Sequence, residues 1–352
     1  MIVAGAGMAG LCAAARAREL GVTPIVLEKG NRPGGSMVLS SGVVWRYRCF
    51  EAFRRECPTG DPRLQKLIVE QLDDGLDWLE SLGAPVVAAE TKNPRTVGRR
   101  FDPRRLTEVL VRAAGDIQTG HALGSDARAR PAEPLLLATG GFPLRLAREL
   151  GLAVRSNLWS DGDGLDLALA LGAVTTPGMN EFYGRAMPAP PARWGEGEFV
   201  DHAQLYGHLA RVFDESDEEI VVEADDWSEN GLVQEIARRG GRAWFVVDPN
   251  ELDRDTPYGT LAEVIDRARS AGGTVEERAD GSLAVHIVAA VTHTIGGLVI
   301  DEQARVLSQA GAPIEGLYAA GVDVGGWSTG GYASGLAAAL VFGRIAAEQV
   351  AS

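Results

Sequence analysis

Three glycines, Gly5, Gly7 and Gly10, stand at the spacing Gly-x-Gly-x-x-Gly, and a carboxylate, Glu28, follows about 18 residues after the last of them. A dinucleotide needs those residue types in that order. The first glycine makes a tight turn, the second lets the backbone approach a pyrophosphate, and the third lets a helix pack closely on a strand. The helix that follows turns unpaired N–H groups and the positive end of its dipole toward the anion, with Met8 and Ala9 among the expected contacts. Glu28 then accepts from ribose hydroxyls. The alternative is a tight strand-to-helix turn with a surface glutamate.

Nicotinamide and flavin dinucleotides share this fingerprint, so other residues must choose between them. Lys29 leads into Gly34-Gly35-Ser36, with Ser40-Ser41-Gly42 close behind, a loop suited to wrapping pyrophosphate and ribityl oxygens with backbone donors. Thr139, Gly140 and Gly141 end the apolar run 135–138 in a glycine turn. Gly321 and Asp323 precede a second glycine-rich turn into the final helix, where Ser334, Gly335 and Leu336 stand. That arrangement can place Asp323 on a ribityl hydroxyl and a helix N-terminus at the flavin O2 edge. Reduction makes this edge negative, so a helix dipole there favours the reduced flavin. One flavin adenine dinucleotide (FAD) is the expected cofactor, with no metal; Ser334 has the further option of capping the helix.

Positioning these residues requires a strand at Ile2 to Ala4, a helix over Leu11 to Leu20 and a second strand at Thr23 to Leu27. Apolar residues at helical spacing predict a helix over Asp61 to Leu82, and another begins at Asp102 or Pro103. Strands are expected at Leu135 to Ala138, Leu298 to Ile300 and Gly316 to Ala320, and a last helix at Leu336 to Val350. Between Gly178 and Ala290 the texture changes: Pro-rich at first, then acidic, then mixed helix and strand. The expectation is an α/β protein whose Rossmann-like FAD-binding domain (1–181 and 293–352) is interrupted by an inserted α+β domain (182–292).

Composition narrows the partners. The 352 residues carry a net charge of −14, which argues against nucleic acid or an anionic membrane surface, since both need a basic face. No apolar run of spanning length occurs, and the glycine motif so close to Met1 leaves no room for a leader. Cys12, Cys49 and Cys57 show no paired-ligand spacing, so free thiols and a cytoplasmic location are expected. The partners expected are a small-molecule substrate and an electron donor or acceptor of unknown identity.

Read together, GAGMAG, Glu28, GGS, the Phe101-Asp102-Pro103 helix start, ATGGF at 138–142, GDGLDLALALGA at 162–173, THTIGGL at 292–298, GLYAAG and the helix from Ser334 resemble the FAD-binding family of fumarate reductases, succinate dehydrogenases and 3-ketosteroid dehydrogenases. The resemblance runs through nearly the whole chain and adds Asp163 and Gly296 to the expected cofactor contacts. It implies that the inserted domain is a capping domain, that the substrate is held between the two domains, and that hydride passes between a C–C bond and flavin N5. Several positions depart from the family. Its proton-donating arginine, which follows an Arg-Phe-x-Asn-Glu stretch, corresponds to Trp227 after Glu219 to Glu223. Its carboxylate-binding His-Pro is replaced by Arg185-Ala-Met187-Pro188, and its Asn-Arg-x-Gly-Gly by the stretch from Trp327 to Tyr332. Val322 replaces the usual Glu, so Asp323 serves one position later, and the chain between Gly120 and Leu135 is short for the family, a trimmed member.

Dehydrogenation beside a carbonyl needs a base for the α proton and a donor for the developing enolate. The resemblance puts a substrate-binding histidine at His293 and, as in the steroid enzymes, a carbonyl-contacting tyrosine at Tyr332. Tyr183 and Arg185 at the cap entrance are further candidates, each with the alternative of an ordinary structural role. No histidine falls near Gly34 to Trp45, where the family's covalent link forms, so FAD is expected to be non-covalent. The substrate expected is an apolar ketone, steroid-like or cyclic; the alternatives are an oxidase of amines or hydroxy acids, or a degenerate FAD-binding protein without turnover.

Overall fold

The computed structural model describes residues 1–123, 133–221, 227–256 and 258–352. These form two compact units. The first comprises Met1–Pro143, Asn157–Glu181 and His293–Ser352. Its central sheet runs in the order Arg305–Leu307, Pro313–Ala319, Leu135–Leu137, Ile2–Ala4 (β1), Ile25–Glu28 (β2) and Ile117–Thr119. All neighbours are parallel except the first pair. The inner strands are short continuous apolar runs because both faces are covered: Leu135, Leu136 and Leu137 are all buried. β2 starts two residues later than expected, at Ile25, whose N–H bonds to Met1 O; Pro24 has no N–H to contribute to a ladder.

Between β1 and β2 lies the helix α1, Met8–Glu19, buried along most of its length. It packs on the final helix Gly335–Ala351 at backbone range, since a Cβ on Gly343 would lie 2.5 Å from Ala9 O. Two other helices start at aspartate caps. Asp61 accepts from Arg63 N ahead of Pro62–Ser81, and Asp102 accepts from Arg104 N and Arg105 N ahead of Pro103–Ala114. In both, proline sits at the first helical position, where a missing N–H costs nothing. The strand expected at Leu298 to Ile300 is absent: Leu298 is bridged singly to Thr175 and to Val324, and Ile300 to Val306, so its backbone is satisfied one residue at a time rather than by a ladder. A smaller antiparallel sheet joins Val43–Tyr47, Thr96–Phe101 and Val86–Ala88.

The second unit comprises Leu144–Ser156 and Phe182–Thr292. Four strands of its sheet are antiparallel neighbours, in the order Arg211–Asp214, Arg242–Val247, Leu283–Thr294 and Val275–Glu277, and Phe182–Pro188 also pairs with the long strand. Phe245, Val247, Ile287 and Ala289 are buried on it. Residues 144–156, expected within the cofactor domain, cluster here because Ala153–Val154 pairs with Ala290–Val291. The helix Leu261–Ser270 opens with a capping box in which Thr260 and Glu263 each accept from the other's backbone N–H. No described helix is long and apolar enough to cross a membrane. Among the described residues no cluster of three or more His, Cys, Asp or Glu could hold a metal.

Candidate functional site

The glycines of the first motif do three different things. Gly5 has φ +105°, and a Cβ there would stand 2.1 Å from Ala138 O. On Gly10 a Cβ would stand 1.9 Å from Gly5 O. Both are demanded by the protein's own backbone. The missing side chain of Gly7 instead borders only Gly35 Cα, at 3.9 Å, and Gly35 (φ +51°) would bring its own Cβ to 3.1 Å from Gly7 Cα. Two glycines thus face each other and leave room at the start of α1. Gly7 is the N-cap, without a capping side chain, and the first turn holds no acidic residue. Its N–H groups lack intrahelical acceptors. Space, backbone donors and the positive end of the dipole together fit a pyrophosphate.

At the end of β2, Glu28 is buried, with Oε2 accepting from Ala6 N at 2.8 Å and Oε1 from Gly30 N at 2.7 Å. The carboxylate is thereby locked in orientation, and each oxygen keeps a lone pair for a hydroxyl. Lys29 Nζ lies 2.8 Å from Asp163 Oδ2, so two expected cofactor contacts bind each other. Ser36 Oγ accepts from Asn157 N at 3.0 Å. Ser40 closes its own loop, donating to Met37 O and accepting from Gly42 N, and Ser41 O accepts from Arg100 Nε.

The turn after Leu135–Leu137 meets the turn before the final helix. Thr139 Oγ1 donates to Asp323 Oδ1 at 2.7 Å and Gly140 N to Oδ2 at 3.0 Å. Burial raises the Asp323 pKa, against the hydrogen bonds from Thr139, Gly140 and Gly141 that favour its charge. Gly141 (φ +67°) makes way for Thr294 Oγ1, which a Cβ would approach to 2.6 Å. Gly296 is required by Met179 and Gly178, and a Cβ on Gly321 would lie 3.0 Å from Ala9 Cβ. Ser334 caps the final helix, accepting from Ala337 N at 3.3 Å.

His293 and Tyr332 come together across 39 residues of chain: their ring centroids are 6.3 Å apart, and Trp327 stacks 6.3 Å from His293. His293 Nδ1 lies 3.1 Å from Thr294 O. A carbonyl only accepts, so Nδ1 carries the proton and Nε2 is an acceptor. Burial pushes the His293 pKa down to about 4, against the Thr294 contact, so the ring is neutral at neutral pH. A Cβ on Gly335 would lie 3.3 Å from Nε2, so the helix start borders that nitrogen.

The support of Tyr332 is not visible in the sequence. Tyr47 donates its hydroxyl to Tyr332 O at 2.6 Å, and the Trp45 and Tyr332 rings meet edge to face at 5.5 Å. Burial keeps the Tyr47 phenol protonated far above neutrality. Gln65, fully buried, donates to Cys57 O and Trp327 O while Arg54 donates to its Oε1. A Gln on a helix 262 residues from Trp327 leaves no pattern that periodicity can read.

Tyr183 and Arg185 lie in the second unit on one face of Phe182–Pro188. Arg185 stacks 4.4 Å over the Tyr206 ring and donates to Ala203 O at 2.7 Å. Burial works against its charge, but Tyr183, Tyr206 and Glu229 raise its pKa in net. Of the positions expected to replace the family's arginine, 222–226 lie outside the described residues, as do 124–132 of the shortened stretch; Trp227 falls on a turn before Asn230–Arg238.

The family model described as FAD binding domain matches residues 1–125 and 123–338. A probable fumarate reductase of Shewanella frigidimarina is 23% identical over 452 residues, covering 100% of this chain and 74% of the relative. An NADH:fumarate oxidoreductase of Klebsiella pneumoniae is 24% identical, covering 100% of this chain and 47% of its own length. Among solved structures, the 3-ketosteroid-Δ4-(5α)-dehydrogenase of Rhodococcus jostii RHA1 in complex with 4-androstene-3,17-dione superposes with a TM-score of 0.70 at 18% identity, over 100% of this chain and 96% of that one.

Proposed function

The chain belongs to the FAD-binding domain family and is an FAD-dependent oxidoreductase, and we propose that it acts on a CH–CH bond beside the carbonyl of an apolar, cyclic or steroid-like ketone. When bound, FAD supplies a hydride acceptor or donor at N5. The cradle at Gly7, Gly35 and α1 would hold its pyrophosphate, Glu28 its ribose, and the Asp323 turn its ribityl chain. Every remaining role falls to side chains.

The observation that carries the reading is the pairing of a neutral imidazole with a phenol in the unit that holds the dinucleotide motif. His293 Nε2, an acceptor, suits removal of the α proton. The Tyr332 phenol suits donation to the carbonyl oxygen as charge develops. The stretch from Trp327 to Tyr332 holds no cation, where fumarate reductases keep an arginine, and Trp327 is fully buried. A dicarboxylate without cationic partners would be held at a cost of several kcal/mol. A neutral ketone carries no such cost.

The test is anaerobic bleaching of the flavin absorbance. A saturated cyclic or steroid ketone should reduce the flavin, and succinate should not. His293→Ala and Tyr332→Phe should slow that reduction at least a hundredfold while FAD stays bound, the usual weight of acid–base groups. Efficient reduction by succinate, or full activity in both variants, would overturn the reading.

A further inference from the structure

An exposed tryptophan stands beside the ribose-binding carboxylate. Trp159 is 40% exposed, and a Cβ on Gly30 would lie 2.8 Å from both Trp159 Cδ1 and Nε1 and 3.0 Å from Glu28 Oε1. Gly30 is not in the left-handed region, so its backbone does not require glycine. What requires it is the indole lying down on the chain two residues after Glu28. Among the described residues Trp159 makes no ring contact and its indole N–H has no acceptor.

The loop that carries Trp159 is tied to the cradle on both sides. Asn157 N donates to Ser36 Oγ at 3.0 Å, Trp159 N to Asn157 Oδ1 at 3.2 Å, and Ser160 Oγ to Thr139 O at 3.2 Å. A lone exposed tryptophan needs no explanation. This one is held by both cofactor loops, against the residue that marks the adenosine ribose, and a purine has a face of matching size to stack on. We propose that Trp159 is the adenine platform of the FAD site, stacking on the base of the adenosine half, and that Gly30 is glycine to let the indole take that position.

The proposal rests on the FAD assignment. It is tested on the full-length, FAD-loaded protein by the rate at which flavin fluorescence appears on dilution, with the visible flavin spectrum as a second readout. Trp159→Ala should release FAD about tenfold to a hundredfold faster, the range that base–aromatic stacking supports, with the spectrum of the bound flavin unchanged because the flavin end is untouched. Trp159→Phe, which keeps a ring, should lie near wild type. In wild type, ADP added to protein stripped of flavin should quench tryptophan fluorescence, and Trp159→Phe should remove most of that quench. Unchanged FAD release in Trp159→Ala would overturn the platform, as would a Trp159→Phe protein that releases FAD as fast as Trp159→Ala with an altered spectrum, the mark of a disturbed loop. A wild-type protein unable to retain FAD would sink the cofactor assignment and the platform together.

Discussion

Replacing His293 by Gln removes one titrating group and leaves a neutral side chain that can still donate to Thr294 O. In the folded protein burial holds the imidazole pKa at about 4, while the unfolded chain returns it to 6.5. Above pH 6.5 the ring is neutral in both states and contributes nothing to pH dependence. As pH falls from 6.5 toward 4 the unfolded state gains a proton that the folded state refuses, so stability is lost over that window. The full shift corresponds to a loss of about 2 kcal/mol by pH 5 and about 3 kcal/mol by pH 4. His293 keeps part of its surface in contact with solvent, and water screens the charge, so about half those values is the expectation. Urea unfolding of FAD-saturated wild type and His293→Gln at pH 7, 6 and 5 isolates the effect, because His202, whose pKa is also lowered by burial, titrates in both proteins. Wild type should lose about 1 kcal/mol more than the variant between pH 7 and 5. Parallel stability curves, or a wild type that gains on the variant in acid, would refute the neutral, buried imidazole. So would an inflection near pH 6.5 in substrate-driven flavin reduction that disappears in the variant.

Gly7→Val should abolish FAD retention, because a branched side chain fills the space between Gly7 and Gly35; absorbance at the flavin maximum after desalting reports it. Glu28→Ala should weaken FAD less and also destabilise the protein by about 1–3 kcal/mol, since Ala6 N and Gly30 N lose their acceptor; thermal melts with and without FAD separate the two effects. Tyr47→Phe strips the donor from Tyr332 O, and should slow flavin reduction roughly tenfold with FAD release unchanged, the pattern of a positioning residue, at a stability cost of about 1 kcal/mol.

What the sequence made readable follows from the range of each interaction. Gly5, Gly7, Gly10 and Glu28 act within one strand–helix–strand unit, so their spacing survives as a pattern. Asp61 and Asp102 likewise sit beside the prolines of the helices they cap. The excursion of residues 144–156 depends on Ala153 and Val154 finding Ala290 and Val291, a pairing no local signal encodes. The expected strand at Leu298 failed for the same reason: its apolar run is real, but its neighbours Thr175 and Val324 arrive from distant segments and meet it one residue at a time. His293 and Tyr332 could be named individually from resemblance, but the tautomer of one and the tether of the other come from Thr294 O and Tyr47, which only the folded chain brings into place.

The glycines carry the same distinction into chemistry. In a motif all glycines look alike, yet a missing side chain can answer to the protein or to a ligand. Gly5, Gly10 and Gly296 would each drive a Cβ into backbone of this chain at 2.6 Å or less, so their identity is set by folding whether or not a cofactor binds. Gly7 meets only another glycine, and Gly30 meets the Trp159 indole and the Glu28 carboxylate; neither is required by the backbone. Residues of the second kind leave space that the backbone itself does not claim. Substituting the first kind should therefore lower the stability of the protein in every state, whereas substituting the second should be visible mainly through FAD. The gap at Gly7 and the indole at Gly30 lie on either side of Glu28's carboxylate, bonded to Ala6 N on one and Gly30 N on the other, so the contacts proposed for pyrophosphate, ribose and base would fall in sequence on three neighbouring features of one strand–turn–helix unit and the loop above it.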